Sequence, residues 1–328
     1  MIMLKKSVLA VMLIGLFFVT QAWAKDVVKL DLNAVYGATS FHTVGAMEFA
    51  KLTEKYSDGS VMITVHPGGS LGFKGPELLK VVKDGQVPMS DILMGVVAGS
   101  EHAFGVSSLP RLVRSFDDAK LLYGDTKPIY EKSALRWKQK FLYAAPWPPS
   151  GLVTKEVVNS KADLKNLKTR TYDKNGAEFL RSLGGSPVSL PWGEVYSSLT
   201  TGMIDSVLTS AESSKNGKFW EVLKGFKKIN YAFPLNMVTI NLDYWKALSK
   251  PQQDAILKAA AETEKMQWKN SQARHEEGIK VIQEHGMIVS EEGADFAKDL
   301  DAAAKKIVAE FKAKSKKDVA TVLDKYSK

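Results

Sequence analysis

Two stretches of this chain follow one rule. Residues 77–83 and 194–201 each read as a short helix opened by a glutamate (Glu77, Glu194) and stopped by a glycine (Gly85, Gly202) eight positions later. Each glycine leads into an apolar run that carries an aspartate, Asp91 in one case and Asp205 in the other. β-prone segments, residues 61–66 and 187–190, stand before the two helices. A chain that repeats strand–helix–strand in this way is confined to an α/β architecture, here two related lobes, each a mixed sheet flanked by helices.

The remaining pattern fits around these units. Residues 27–34 read as a first strand, and Ser40 caps a helix reaching Tyr56, with Val44, Met47 and Leu52 predicted to face inward. Residues 90–97 are apolar enough for a buried strand, and residues 141–145 form another. Ser249-Lys-Pro-Gln252 is a capping box with proline in the first turn, opening a helix that runs at least to Trp268 and as far as His285. No low-complexity linker parts the two lobes, so crossing strands and this long helix are expected to join them. The expected division is 25–147 plus 233–272 for one lobe and 148–232 plus 273–328 for the other.

Residues 1–24 read as a secretory leader. Lys5 and Lys6 precede the apolar run 7–19, and Ala22-Trp23-Ala24 supplies a small-x-small cleavage site. The run is shorter than the roughly 20 residues that span a bilayer. The chain contains no cysteine, so neither disulfides nor a lipid-modified cysteine are available. A free exported monomer without membrane insertion is expected. The formal charge of +9 comes from lysines interspersed with acids, as over residues 298–317. That is the pattern of solvated helix faces and not of a nucleic-acid surface.

The search for chemistry yields little that could react. Gly68-Gly-Ser-Leu-Gly72 matches G-x-S-x-G, which makes Ser70 the nucleophile of an alternative secreted hydrolase. Pro67 breaks the strand ahead of it, however, and residues 73–76 delay the helix. The five histidines show no paired spacing, so no metal or cofactor is expected. Glu194 and Asp205 read as structural, and Trp220, Trp245 and Trp268 as core. Arg170 is different: it lies in an apparent strand just before a helix, where its planar fork could clamp an acid or form an interlobe salt bridge. Trp147, in a Pro-Trp-Pro-Pro segment, and Trp192, after Pro191, stand at strand corners where an aromatic can wall a pocket or pack the lobes.

Several segments in order resemble the DctP-type solute-binding proteins of TRAP (tripartite ATP-independent periplasmic) transporters. They are Glu48-Phe-Ala50, Val65-His-Pro-Gly-Gly-Ser-Leu-Gly72, Asp163-Leu-Lys-Asn-Leu-Lys-Thr-Arg170, Leu190-Pro-Trp-Gly-Glu-Val-Tyr196 and Leu199-Thr-Thr-Gly-Met-Ile-Asp205. The resemblance implies a two-lobed periplasmic-binding-protein clamp that is not an enzyme and that delivers an organic acid to membrane permease subunits. A sensing role would use the same clamp. It further implies that Arg170 pairs with the ligand's acid group, that Trp192 lines the pocket, that Asp173 is a polar contact and that Phe41 lies in a loop facing the cleft.

Two departures from that family shape the ligand. Thr209-Ser210 stands where the family often has Asn-Pro, and Trp147-Pro-Pro-Ser150 where a second basic residue is common. What remains is aromatic: Phe41, Phe73, Trp147, Tyr172, Trp192 and Phe233. The expected ligand is therefore a monocarboxylate with an aromatic or apolar body. A small sulfonate or sugar acid, held by Arg170 with the hydroxyls of Ser150 and Thr209, is the alternative.

Overall fold

The computed structural model describes residues 27–327; the expected leader lies outside them. Strand β1 (Val28–Ala34) leads into helix α1 (Phe41–Tyr56), then β2 (Val61–His66), α2 (Leu78–Lys83) and β3 (Met89–Leu93). A long helix, α3 (Phe116–Arg136), returns the chain to β4 (Gln139–Pro146), which continues after a short break into β5 (Ser150–Thr154). The first pattern then recurs as β6 (Lys168–Thr171), α4 (Lys174–Ser182), β7 (Ser186–Ser189), α5 (Val195–Thr200) and β8 (Ser206–Ser210). After α6 (Ala211–Asn216) come β9 (Gly225–Lys228), β10 (Leu235–Asn241), α7 (Leu242–Ala247) and α8 (Lys250–Glu284). Strand β11 (Ile288–Glu291) and helices α9 (Ala294–Ala313) and α10 (Lys317–Tyr326) complete the chain.

The repeat read from sequence is a topological one. The first sheet has the order β2-β1-β3-β10-β4 and the second β11-β9-β5-β8-β6-β7. In each, the first strand of a unit pairs in parallel with the next two: β1 with β2 and β3, β6 with β7 and β8. Next to each triplet lies one antiparallel strand from elsewhere in the chain, β10 beside β3 and β5 beside β8. The protein is thus a two-lobed α/β clamp. Gly85 and Gly202 take φ of +69° and +73° at the two helix stops, as the sequence predicts.

The lobes are joined three times. β4 runs into β5 and β9 runs into β10, and the two crossings bond to each other: Trp147 N–H donates to Pro234 O at 2.8 Å, and Tyr231 N–H to Ser150 O at 2.9 Å. The third link is α8. Its Ser249–Gln252 capping box forms as read. Its first half buries Ile256, Ala259 and Ala260 against the first sheet, and Ile282 packs in the core of the second. No helix among the described residues is long and apolar enough to cross a membrane.

Two local expectations need correction. α1 buries Phe41, His42, Gly45, Ala46, Phe49 and Leu52, while Val44 and Met47 lie on its exposed side. The small residues let α8 approach, so the inward face is set by the neighbouring helix and not by side-chain bulk. Residues 90–97 are not one strand: β3 stops at Leu93, and Met94–Val97 wind into a 3-10 turn.

Candidate functional site

The carboxyl ends of the parallel strands of both sheets open on one cavity of about 400 Å³, the position at which open α/β sheets hold ligands. The first lobe contributes Val35 and Tyr36 after β1, Lys74, Gly75, Pro76 and Leu78 after β2, and Leu93 and Val96 at the end of β3. The second contributes Arg170, Tyr172 and Asp173 at the end of β6, Leu190 to Trp192 after β7, and Thr209, Ser210 and Ser213 around the end of β8. Trp147, Ser150 and Pro234 enter from the two crossings.

Arg170 is buried, with 5% of its surface exposed. Its Nε donates to Leu190 O at 3.1 Å, and its guanidinium carbon lies 5.9 Å from the centre of the Trp192 ring. Among the described residues no carboxylate forms an ion pair with it. The four N–H bonds of its two terminal nitrogens are therefore left for whatever enters the cavity. Burial lowers its pKa to about 10, against the raising influence of Tyr36, Tyr172 and Asp173. The side chain stays cationic at neutral pH, but in a place where an unpaired charge is costly. An entering anion relieves that cost.

The aromatic wall is shared: Tyr36 comes from the first lobe, Trp147 from a crossing, and Tyr172 and Trp192 from the second lobe. Tyr36 meets Trp147 edge-on at 5.0 Å, and the His42 ring lies 4.3 Å from Trp147 and 6.4 Å from Tyr36. Trp147 Nε1 donates to Asn236 Oδ1, and Asn236 Nδ2 donates to Asp91 Oδ1, both at 2.8 Å. Burial pushes Asp91 up to about 7, with the Asn236 bond opposing it, and pulls His42 down to about 3. Through this chain of hydrogen bonds Asn236 and Asp91 fix the indole plane. On the opposite side, Tyr172 and Ser150 share a hydrogen bond of 3.3 Å between their hydroxyls.

Seven of the residues singled out in the sequence line this cavity: Arg170, Trp192, Trp147, Tyr172, Asp173, Thr209 and Ser150. Three do not. Phe41 is buried at the start of α1, where its carbonyl accepts from Gln267 Nε2 of α8. Phe73 packs among Val81, Val82 and Val87. Phe233 meets Phe116 edge-on at 5.0 Å in a second-lobe core cluster. Each is an aromatic near a loop that packs inward, Phe41 and Phe233 against chain-distant residues and Phe73 against the helix and turn that follow it. Sequence reasoning passed over Tyr36, Lys74 and Ser213. Tyr36 could have been found by extending the repeat, because the segment after β1 occupies in the first lobe the place that Tyr172 and Asp173 occupy in the second.

Ser70 has ordinary dihedrals, φ −62° and ψ −19°, and so lacks the strain of a nucleophile elbow. The nearby His66 bonds Asp31 at 2.7 Å. Asp205 sits at the far end of its sheet, accepting from Lys155 Nζ and from the Lys168 N–H.

The lobes also meet behind the cavity. Asp173 caps α4 through Oδ1, which accepts from Gly176 N–H at 2.8 Å, and its Oδ2 is buried without a partner. Gly95, just after β3, lies against it: a Cβ there would fall 2.4 Å from Asp173 Oδ2 and 2.4 Å from Ser108 Oγ. Gly95→Ala should therefore wedge the lobes apart. The expected result is a loss of ligand affinity of about tenfold or more, as overpacking typically costs 1–3 kcal/mol. Calorimetric titration of the variant checks this, and undiminished affinity would show that the seam yields freely.

The family model "DctP: Bacterial extracellular solute-binding protein, family 7" matches residues 32–315. Among solved structures, a TRAP solute-binding protein from an unidentified marine microbe, specific for pyroglutamate and holding co-purified pyroglutamate, is 32% identical. It superposes with a TM-score of 0.88 over 92% of this chain and 99% of that one. DctP7 of Bordetella pertussis, an extracytoplasmic solute receptor binding pyroglutamic acid, is 26% identical with a TM-score of 0.89, over 92% and 99% of the two chains. A curated solute-binding protein of Albidiferax ferrireducens is 27% identical over 223 residues, 66% of this chain and 65% of that protein.

Proposed function

The chain belongs to the bacterial extracellular solute-binding proteins of family 7, and from that membership we propose that it captures a small monocarboxylate in the periplasm and delivers it to the membrane subunits of a TRAP transporter. The observation that carries this reading is the Arg170 guanidinium, buried in the interlobe cavity with, among the described residues, only its Nε bonded. A carboxylate can take the remaining donors in a paired, bidentate bond. Among the described residues no second buried cation lines the cavity: Lys74 and Lys174 are exposed at its rim. A second carboxylate would therefore enter without a buried partner, which disfavours dicarboxylates.

The body of the acid meets Tyr36, Trp147, Tyr172 and Trp192. Pyroglutamate, a compact cyclic monocarboxylate, is the first ligand to test, because two similar proteins bind it. Ring-bearing aromatic acids come second, because four aromatic rings stand in the wall. A ligand touching both lobes binds the closed form better than the open one, and so shifts the population toward the shape that a permease can recognise.

Calorimetry with pyroglutamate, phenyl- and indolyl-acids, succinate, glucuronate and small sulfonates tests this. Mass spectrometry of molecules released from the denatured protein adds an independent readout. Binding of pyroglutamate or another ring monocarboxylate, with none of succinate, is the expected outcome. Preference for succinate or a sulfonate would overturn it.

A further inference from the structure

Among the described residues, the cavity that offers one buried cation also contains one acid. Asp173 stands three residues beyond Arg170 and lines the same space, yet the two form no ion pair. Its Oδ1 is used by the cap of α4, while Oδ2 lies against Gly95 and beside the Ser108 hydroxyl without a well-aligned hydrogen bond. The side chain is 7% exposed. A buried carboxylate with one idle oxygen holds its charge only through its surroundings.

We propose that this protein captures a proton together with its acid, and that Asp173 is the group that takes it. This rests on the monocarboxylate reading above. The charged and titratable neighbours of Asp173 set the direction. Burial pushes its pKa up to about 6; the Gly176 N–H, the Ser108 hydroxyl and the Arg170 charge hold it down, and Glu178 of α4 pushes it further up. Lys174, next to it, is committed to Glu178 at 3.6 Å. Tyr172 and Tyr231 face it as neutral phenols, both held far above their ordinary range by burial.

A carboxylate seated on Arg170 cancels the one cationic influence on Asp173 and adds an anion beside it. Both changes favour the protonated acid. The pKa of Asp173 in the complex therefore lies above its value in the free protein. Where the complex binds more protons than the free protein, affinity falls as pH rises. The window opens near pH 6, the free-protein value, and extends upward to the value in the complex. Every tenfold gain in the proton affinity of Asp173 makes capture up to about tenfold tighter below that window than above it. The captured species is then the anion plus a proton on the protein, and opening the lobes returns both.

The test is calorimetric titration of pyroglutamate into the wild type, Asp173→Asn and Asp173→Ser, in two buffers of different ionisation enthalpy. Both replacements keep a side chain that caps α4. For the wild type, the apparent heat should differ between buffers by an amount corresponding to proton uptake, and affinity should fall about threefold to tenfold between about pH 6 and about pH 8. In both variants the buffer effect and the slope should vanish. A wild type without buffer dependence, or variants that retain it, would overturn the proposal.

Absence of any heat with pyroglutamate would overturn the ligand assignment alone. The unliganded protein then decides the role of Asp173 through its melting temperature. A buried acid with a raised pKa weakens the fold above that pKa, so Asp173→Asn should melt higher than the wild type at about pH 8. The difference should shrink as pH falls to about 5. A difference constant across that range would rule Asp173 out.

Discussion

Arg170→Ala is expected to abolish capture of the acid while leaving a folded protein. A buried carboxylate stripped of its cationic partner loses about 3–5 kcal/mol, a factor of at least a hundred in Kd. Titration calorimetry with pyroglutamate reads the loss. The unliganded variant should melt no lower than the wild type, because the residue removed is a buried cation whose one internal bond goes to Leu190 O. Arg170→Lys should restore little of the affinity, since a point charge cannot reproduce the planar fork. Wild-type affinity in Arg170→Ala would remove this residue from the site.

The opposite behaviour is expected of the other buried arginine. Arg111 Nε donates to Asp301 Oδ1 at 2.6 Å, and its terminal nitrogens reach Glu292 Oε1 and Oε2 at 2.8 and 2.7 Å. A further bond, to Ile229 O at 2.6 Å, fastens the segment that crosses back to the first lobe. Here the cation is fully matched, and its pKa is raised by the two carboxylates against the effect of burial. Arg111→Met leaves Glu292 and a carbonyl without their partner, at a cost of about 3–5 kcal/mol. That corresponds to a melting temperature roughly 5–10 °C lower, which calorimetric or circular-dichroism melting would show. Ligand affinity should change far less than in Arg170→Ala, because Arg111 does not line the cavity. A melting temperature equal to that of the wild type would mean the network adds nothing to stability.

These two arginines show how far the sequence can be read. Both follow short polar or apolar runs and both end up buried; nothing local separates the matched one from the open one. The partners of Arg111 come from residues 229, 292 and 301, fixed by chain-distant folding. Arg170 could be singled out because strand–helix grammar is local: Gly202, Ser249 and the apolar strands announce themselves within a few residues. The grammar places residue 170 at a strand's carboxyl end, next to a helix start. The same grammar is silent on which aromatic faces solvent, cavity or core. Trp147 reaches the cavity because Asn236, eighty-nine positions away, holds its indole. Phe233, on the partner crossing, instead turns toward Phe116. Asp173 was legible as a polar residue near Arg170, but its idle oxygen depends on Gly95 approaching from the other lobe.

The exchange of strands between the two sheets has a temporal consequence. In the first sheet, β10 lies between β3 and β4 and ends at Asn241. The amino-terminal half of the chain therefore cannot finish its sheet before residues 235–241 have emerged. Domains that are contiguous in sequence mature one after another during synthesis. Here the earliest strands wait, incomplete, until most of the polypeptide has been made, and the two lobes reach their final form together.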